Sequence, residues 1–356
     1  MARLDDALIH QNYGTIEHVV DTTDPRWFDR FYFNMQALDG SLAITQGIGV
    51  YPNQQVMDGF GMVSTPGFQI NVRASRELVN GNRDEMDIGP IHAEILEPMK
   101  RWRFRLDENA QGVSYDFQYV ANFQATEPVR LISEVDGRRV WDWTHFAHVG
   151  RVEGWVQVDG RKTALAPDTH YAVRDRSWGV RPGIAVVEDM SAWFKQANWG
   201  TGHNWCCVQL ETCFYFWYFQ SQEDDGTGRF FDGQLRWSDA LGGKQEKIAK
   251  VVRDIEYSGD KHFVNARVEV HLESGKIMNV NMRRRDTSIL LRGGNYGGLN
   301  GIIHGMKQGP LNVTGERWEP SDPRKNPLTK GLIEHVVEVT CDAERGSGIF
   351  ELSFGT

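Results

Sequence analysis

Val113-Ser114-Tyr115-Asp116-Phe117-Gln118-Tyr119-Val120-Ala121-Asn122-Phe123 sets apolar, mostly aromatic side chains at every odd position and mostly polar ones between them. A strand with one face buried has this period of two, which a helix of 3.6 residues per turn does not reproduce. Just upstream, Arg101-Trp102-Arg103-Phe104-Arg105-Leu106 repeats the pattern with the arginines pointing away from the apolar face. Further segments of strand character follow outward in both directions, at Phe28–Met35, Ser41–Tyr51, Gly150–Val158, Trp205–Phe219, Gly228–Trp237, Lys250–Tyr257, Asn265–Leu272, Ile277–Arg283, Gly331–Cys341 and Gly348–Phe354. Between strands stand dipeptides that tolerate positive φ in hairpins: Asp39-Gly40, Asn80-Gly81, Asp136-Gly137, Asp159-Gly160 and Ser274-Gly275. Helix is expected only at Asp239–Val251, with a short turn at Asp21–Trp27. The fold class is therefore all-β and antiparallel.

A chain of 356 residues exceeds one ordinary domain. Two β-barrel or sandwich domains are expected, residues 1–185 and 186–356, joined just after Arg181-Pro182-Gly183 with the connection extending through Gly200-Thr201-Gly202. Without a long Ser- or Pro-rich linker the two would pack directly and form a cleft. The net charge of −9 and pI near 5.7 argue against nucleic acid or anionic lipid as partners. Arg283-Arg284-Arg285 reads as a solvated strand end. The N-terminus lacks a basic start and apolar run, and the longest apolar stretch, Phe214–Phe219, is too short to span a bilayer. These features predict a cytoplasmic protein without membrane insertion, monomeric or a homodimer.

Metal and phosphate chemistry find no motif. Cys206, Cys207, Cys213 and Cys341 lack ligand spacing and read as reduced, buried thiols. His145 and His148 are separated by an odd number of positions on a strand and so face opposite ways. Arg292–Gly301 has neither the Gly-Lys-Ser/Thr of a P-loop nor dinucleotide glycine spacing, and reads as a turn or a loop lining the cleft. No Gly-x-Ser-x-Gly or His-Glu-x-x-His motif occurs. No metal and no cofactor is expected.

The chemistry concentrates in His148-Val149-Gly150-Arg151-Val152-Glu153-Gly154, which leads to the Asp159-Gly160 turn, and in Tyr171-Ala172-Val173-Arg174-Asp175-Arg176-Ser177-Trp178-Gly179-Val180-Arg181. On a strand Arg174 and Arg176 point away from Asp175, which leaves that carboxyl free to face an apolar cavity beside Trp178. Desolvation there would raise its pKa and fit it to donate a proton. The competing reading is a structural carboxylate that accepts backbone or arginine hydrogen bonds and pins the domains together.

Arg174-Asp175-Arg176-Ser177-Trp178-Gly179-Val180-Arg181 resembles the Arg-Asp-His-Ser-Trp-Gly-x-Arg signature of the two-domain lipocalin-like (calycin) proteins related to carotenoid 1,2-hydratase, a superfamily that includes kievitone hydratase and fungal decalin Diels–Alderases. The strand from His148 to Gly154, Trp27–Asn34 and Gly49–Asn53 are similar to its bacterial branch. The resemblance implies two calycin barrels with a hydrophobic ligand at their interface. It implies Asp175 as the acid that protonates a C=C bond, His148 as a group that positions water, and tryptophans that stabilise positive charge by their π faces. Arg174, Arg176, Gly179 and Arg181 would be its structural residues. Arg176 stands where many members have His, and Val173 where hydratases have Tyr. Tyr171, two positions away, keeps the same strand face.

The second half resembles the family only in β character. If Trp205–Phe219 is one strand, Trp205, Gln209, Glu211, Tyr215 and Trp217 share a face, and the aromatic residues with Glu211 would line a polar-tipped pocket for an isoprenoid-, steroid- or polyketide-like substrate. The expected activity is cofactor-independent, acid-assisted hydration, dehydration or isomerisation. The alternatives are a pericyclase that folds its substrate and a carrier without turnover.

Overall fold

A computed structural model describes residues 22–79, 85–135, 137–184, 203–220, 230–259, 262–319 and 331–354. In chain order the first strands are β1 (Trp27–Ala37), β2 (Ala43–Tyr51), β3 (Val56–Ser64), β4 (Gln69–Glu77), β5 (Asp87–Ile88), β6 (Ile91–Glu97), β7 (Arg101–Leu106), β8 (Val113–Ala121), β9 (Val129–Val135), β10 (Arg138–Val158), β11 (Arg161–Leu165) and β12 (His170–Val180). Then come β13 (His203–Gln209), β14 (Cys213–Gln220), β15 (Phe230–Trp237), β16 (Gln245–Tyr257), β17 (Phe263–Leu272), β18 (Ile277–Leu290), β19 (Leu311–Trp318), β20 (Gly331–Cys341) and β21 (Glu344–Phe354). All ladders between them are antiparallel.

Eight of the strands, β13 to β18 with β20 and β21, close into a barrel in which β21 returns to pair β13. The other thirteen form one sheet in the order β19-β4-β3-β2-β1-β12-β10-β8-β7-β6-β5, with β9 and β11 also on β10. This sheet curls until β5 and β6 lie against β3. Its concave side is filled by aromatic rings, among them Phe31, Phe33, Trp102, Phe104, Tyr115 and Phe117, with Phe33 and Phe104 centroids 4.4 Å apart. The second barrel is filled likewise by Tyr215, Trp217, Phe219, Phe263 and Phe350. Both interiors are thus occupied by side chains.

A third apolar cluster joins the outer faces of the two bodies. It combines Phe28, Tyr32, Tyr51, Phe60, Trp143 and Val173 of the first with Trp205, Cys207, Phe214, Phe216, Tyr218, Val336 and Ile349 of the second.

The sheets change over between Val180 and His203, and the expected connection around Gly200-Thr201-Gly202 lies outside the described residues. So do the N-terminal Met1–Leu8, the Asn80-Gly81 turn and Asp136. Although β19 stands in the second half of the sequence, it hydrogen-bonds along β4 in the first sheet, from Leu311↔Arg76 to Trp318↔Gln69. A 3-10 turn at Leu291–Gly294 leads the chain across. There Gln69 receives the Leu290 N–H (2.9 Å) and donates to its carbonyl (3.0 Å), while Arg73 donates to the Gly293 carbonyl (2.9 Å). A Cβ on Gly293 would lie 2.1 Å from Asn71 Oδ1, so only glycine fits this contact.

Two elements differ from the sequence-based expectation. Asp239–Val251 is not a helix: a 3-10 turn covers Asp239–Leu241 and β16 takes over from Gln245, because Gly242 and Gly243 turn with positive φ. Trp205–Phe219 is not one strand but the hairpin β13–β14, closed by the Leu210 N–H to the Cys213 carbonyl at 2.8 Å. Among the described residues no helix is long and apolar enough to cross a membrane.

Candidate functional site between the two β bodies

The register of three neighbouring strands decides which side chains meet. Asp175 on β12 stands opposite Tyr32 on β1 and Ala147 on β10, and Ser177 opposite Arg30 and His145. Residues paired across a ladder share a face. Asp175, Tyr32, Arg30 and His145 therefore point toward the second barrel, the side on which Tyr32, Ala147 and Val173 join the interbody cluster.

The Asp175 carboxyl is enclosed by protein yet keeps some accessible surface, as do Arg181 and Tyr296 near it. We take this partly accessible region, where the two bodies pack, as the candidate gap for a ligand. Asp175 Oδ1 is buried without a hydrogen-bond partner among the described residues. Burial raises its pKa, against the opposing influence of His145 and Arg181. His145 itself is fully buried, with Nε2 3.1 Å from Asp232 Oδ2 and its ring edge-on to Phe216 and Tyr218.

The second barrel answers with two more carboxyls. Glu334 and Glu351 are directly paired across β20 and β21, and both are buried. Tyr32 Oη donates to Glu334 Oε2, which also receives Asn34 Nδ2 at 2.8 Å, and His203 Nε2 contacts Glu351 Oε1. Desolvation, together with the neighbouring Glu351, holds the Glu334 pKa well above its ordinary value. The Tyr32 phenol is likewise pushed up by burial and by Glu334. Tyr218, Tyr296 and Cys207 complete the wall, all held protonated by burial.

This arrangement differs from the sequence-based one in its partners. His148 lies on the opposite face of β10, inside the first body, where Nε2 meets the Phe123 carbonyl at 2.7 Å and the ring packs on Tyr119. It does not reach Asp175; the histidine on the shared face is His145. Trp178 is also on the far face of β12, packed with Trp27, Phe146 and Val180. Arg174 lies there among Phe33, Trp102 and Phe146, and Arg176 forms a buried ion pair with Asp29. Gly179 has φ +132°, and a Cβ there would stand 2.4 Å from the Asp142 carbonyl. Of the four residues expected to be structural, Arg181 has its side chain with the interbody aromatics, Cζ 4.7 Å from the Phe28 ring.

Tyr171 and Glu211 meet each other at the rim: Tyr171 Oη donates to Glu211 at 3.2 Å beneath Arg151, whose Cζ is 3.2 Å from the Tyr171 centroid. Glu211 is exposed, so this is a seam and not a pocket tip. Trp205 joins the interbody cluster, whereas Tyr215 and Trp217 lie inside the second barrel, where Trp217 Nε1 donates to Asn204 at 2.8 Å. The β13–β14 turn inverts the faces, so odd positions on β13 align with even positions on β14. Tyr32, Arg30, Glu334, Glu351, His203, Tyr218 and Tyr296 were not singled out from sequence. Their one visible signal is a charged or phenolic residue on an otherwise apolar strand face, as in Gly331-Leu332-Ile333-Glu334-His335-Val336-Val337.

A family model described as "Family of unknown function (DUF8625)" matches residues 1–355, and the chain belongs to that family. No curated protein sequence matches it. Among solved structures it is similar to kievitone hydratase from Nectria haematococca, at 10% identity and TM-score 0.45, over 92% of this chain and 89% of that one. It is also similar to CghA, at 12% identity and TM-score 0.49 over 94% and 90% of the two chains. CghA with Sch210972 gives 13% identity and TM-score 0.46 over 93% and 89%. Neither is a carotenoid hydratase, and likeness at this level assigns no residue a role.

Proposed function

We propose that this member of the DUF8625 family is a cofactor-independent enzyme that binds an apolar small molecule between its two β bodies and adds water to, removes water from, or shifts a C=C bond by proton transfer. The observation that carries this reading is the Asp175 carboxyl: enclosed, without a hydrogen-bond partner at Oδ1 among the described residues, and raised in pKa by burial. It faces a wall on which a second carboxyl system, Glu334 with Glu351, is held by Tyr32, Asn34 and His203. Carboxyls with different surroundings divide acid and base roles. In the hydration direction the Asp175 O–H bond breaks as its proton forms a C–H bond, leaving a cation at the other carbon beside the Tyr218 π face. Water then forms the C–O bond, its excess proton passes to the Glu351–His203 pair, and exchange with solvent restores the starting protonation. Dehydration is the reverse.

The test is incubation of the purified protein with apolar metabolite extracts in D2O, read by mass spectrometry. A product that gains or loses one water, with deuterium on carbon, formed by the wild type and not by Asp175→Asn, is the expected result. A new ring at unchanged mass with Asp175→Asn still active replaces acid catalysis by shape-driven cyclisation. Stoichiometric retention of unchanged compounds makes the protein a carrier.

A further inference from the structure

One cation at the same gap is not used by that chemistry. Arg30 is 2% exposed, and none of Nε, Nη1 and Nη2 has a hydrogen-bond partner among the described residues. Its Cζ lies 4.7 Å from the Tyr296 centroid and 5.4 Å from that of Phe60. The carboxylate on the same side, Asp58, is engaged elsewhere: it accepts from Tyr51 Oη at 3.0 Å and from the Gly305 N–H at 2.7 Å, with His304 Nδ1 at 3.5 Å. A second guanidinium, Arg181, also lies by Tyr296, with Cζ 5.9 Å from that ring and a buried Nε that lacks an acceptor among the described residues. A desolvated guanidinium with idle donors is costly, and an aromatic face recovers only part of that cost. Its planar fork matches two oxygens of one anion.

We propose that Arg30, assisted by Arg181 beside the same Tyr296 ring, binds a carboxylate of the substrate. This rests on the reading of the gap as an apolar ligand site and names the substrate class for it. Arg30 and Tyr32 are two residues apart on β1, and Tyr32 is paired with Asp175. The backbone positions of Arg30 and Asp175 are therefore offset by about 7 Å along the sheet on neighbouring strands, on one face.

The experiment titrates wild type, Arg30→Met and Arg30→Lys with two fluorescent probes that share an apolar body: anilinonaphthalene sulfonate, which is anionic, and neutral phenylnaphthylamine. The wild type is expected to bind the sulfonate at least about tenfold more tightly than the neutral probe. Arg30→Met should abolish that preference while keeping neutral-probe affinity. Arg30→Lys, which keeps charge without the fork, should lose sulfonate affinity severalfold, and it carries the test if the Met variant does not fold. Unchanged sulfonate affinity in both variants overturns the anion site and leaves the cleft reading standing. If the wild type binds neither probe, the cleft reading falls and this inference with it.

Discussion

Asp175 and Glu334 hold their protons to higher pH than exposed carboxyls because burial penalises the charged form. A carboxyl whose folded pKa lies above its unfolded value stabilises the fold fully below the unfolded value, and loses that contribution as pH rises through the folded one. Asp175→Asn and Glu334→Gln, which mimic the protonated form, should therefore raise Tm at neutral pH and leave it nearly unchanged at about pH 3. Thermal denaturation across pH checks this, and a gain of equal size at both ends would contradict it. The opposite sign is expected at Asp29. Asp29→Ala strands the fully buried Arg176 without its counter-charge and should cost about 3–5 kcal/mol in urea unfolding. Of these residues Asp175 was legible, since alternation separates it from Arg174 and Arg176. Its companions were not, because side chains from β1, β10, β20 and β21 meet through pairing that a single sequence does not display.

Strands carry this limit most clearly. Period two assigns Asp175 and Trp178 to opposite faces of β12, yet a tryptophan three positions on is easily taken for a neighbour. In β13–β14 the turn residues Glu211-Thr212 include none of the usual Gly, Asn or Asp, so the hairpin leaves no local mark. It is held from outside: Glu344 accepts from the Thr212 N–H at 3.0 Å and from its hydroxyl at 2.5 Å. The β character of nearly every segment was legible, because half-buried strands show their period; face assignment failed wherever an unmarked turn reset it. Where β12 pairs with β10, Gly179→Ala forces a methyl against the Asp142 carbonyl and strains the backbone at φ +132°. A loss of about 2–3 kcal/mol is expected by chemical denaturation.

Across the whole molecule, β19 ties the second half of the chain to the first sheet and covers the β4 edge. A chain ending at residue 185 would expose both that edge and the apolar outer face bearing Phe28, Phe60 and Trp143. It should self-associate in analytical ultracentrifugation, whereas the full chain should not do so through this edge. A synthetic peptide of residues 311–318 should reduce the association.

The same strap sets an order of assembly during synthesis. When residue 318 leaves the ribosome and the first sheet gains its last strand, six of the second barrel's eight strands have already been made. The remaining two, β20 and β21, close that barrel and carry Glu334 and Glu351. A nascent chain thus completes its scaffold before it holds the carboxyl pair, and no unfinished chain presents both acidic walls to a ligand.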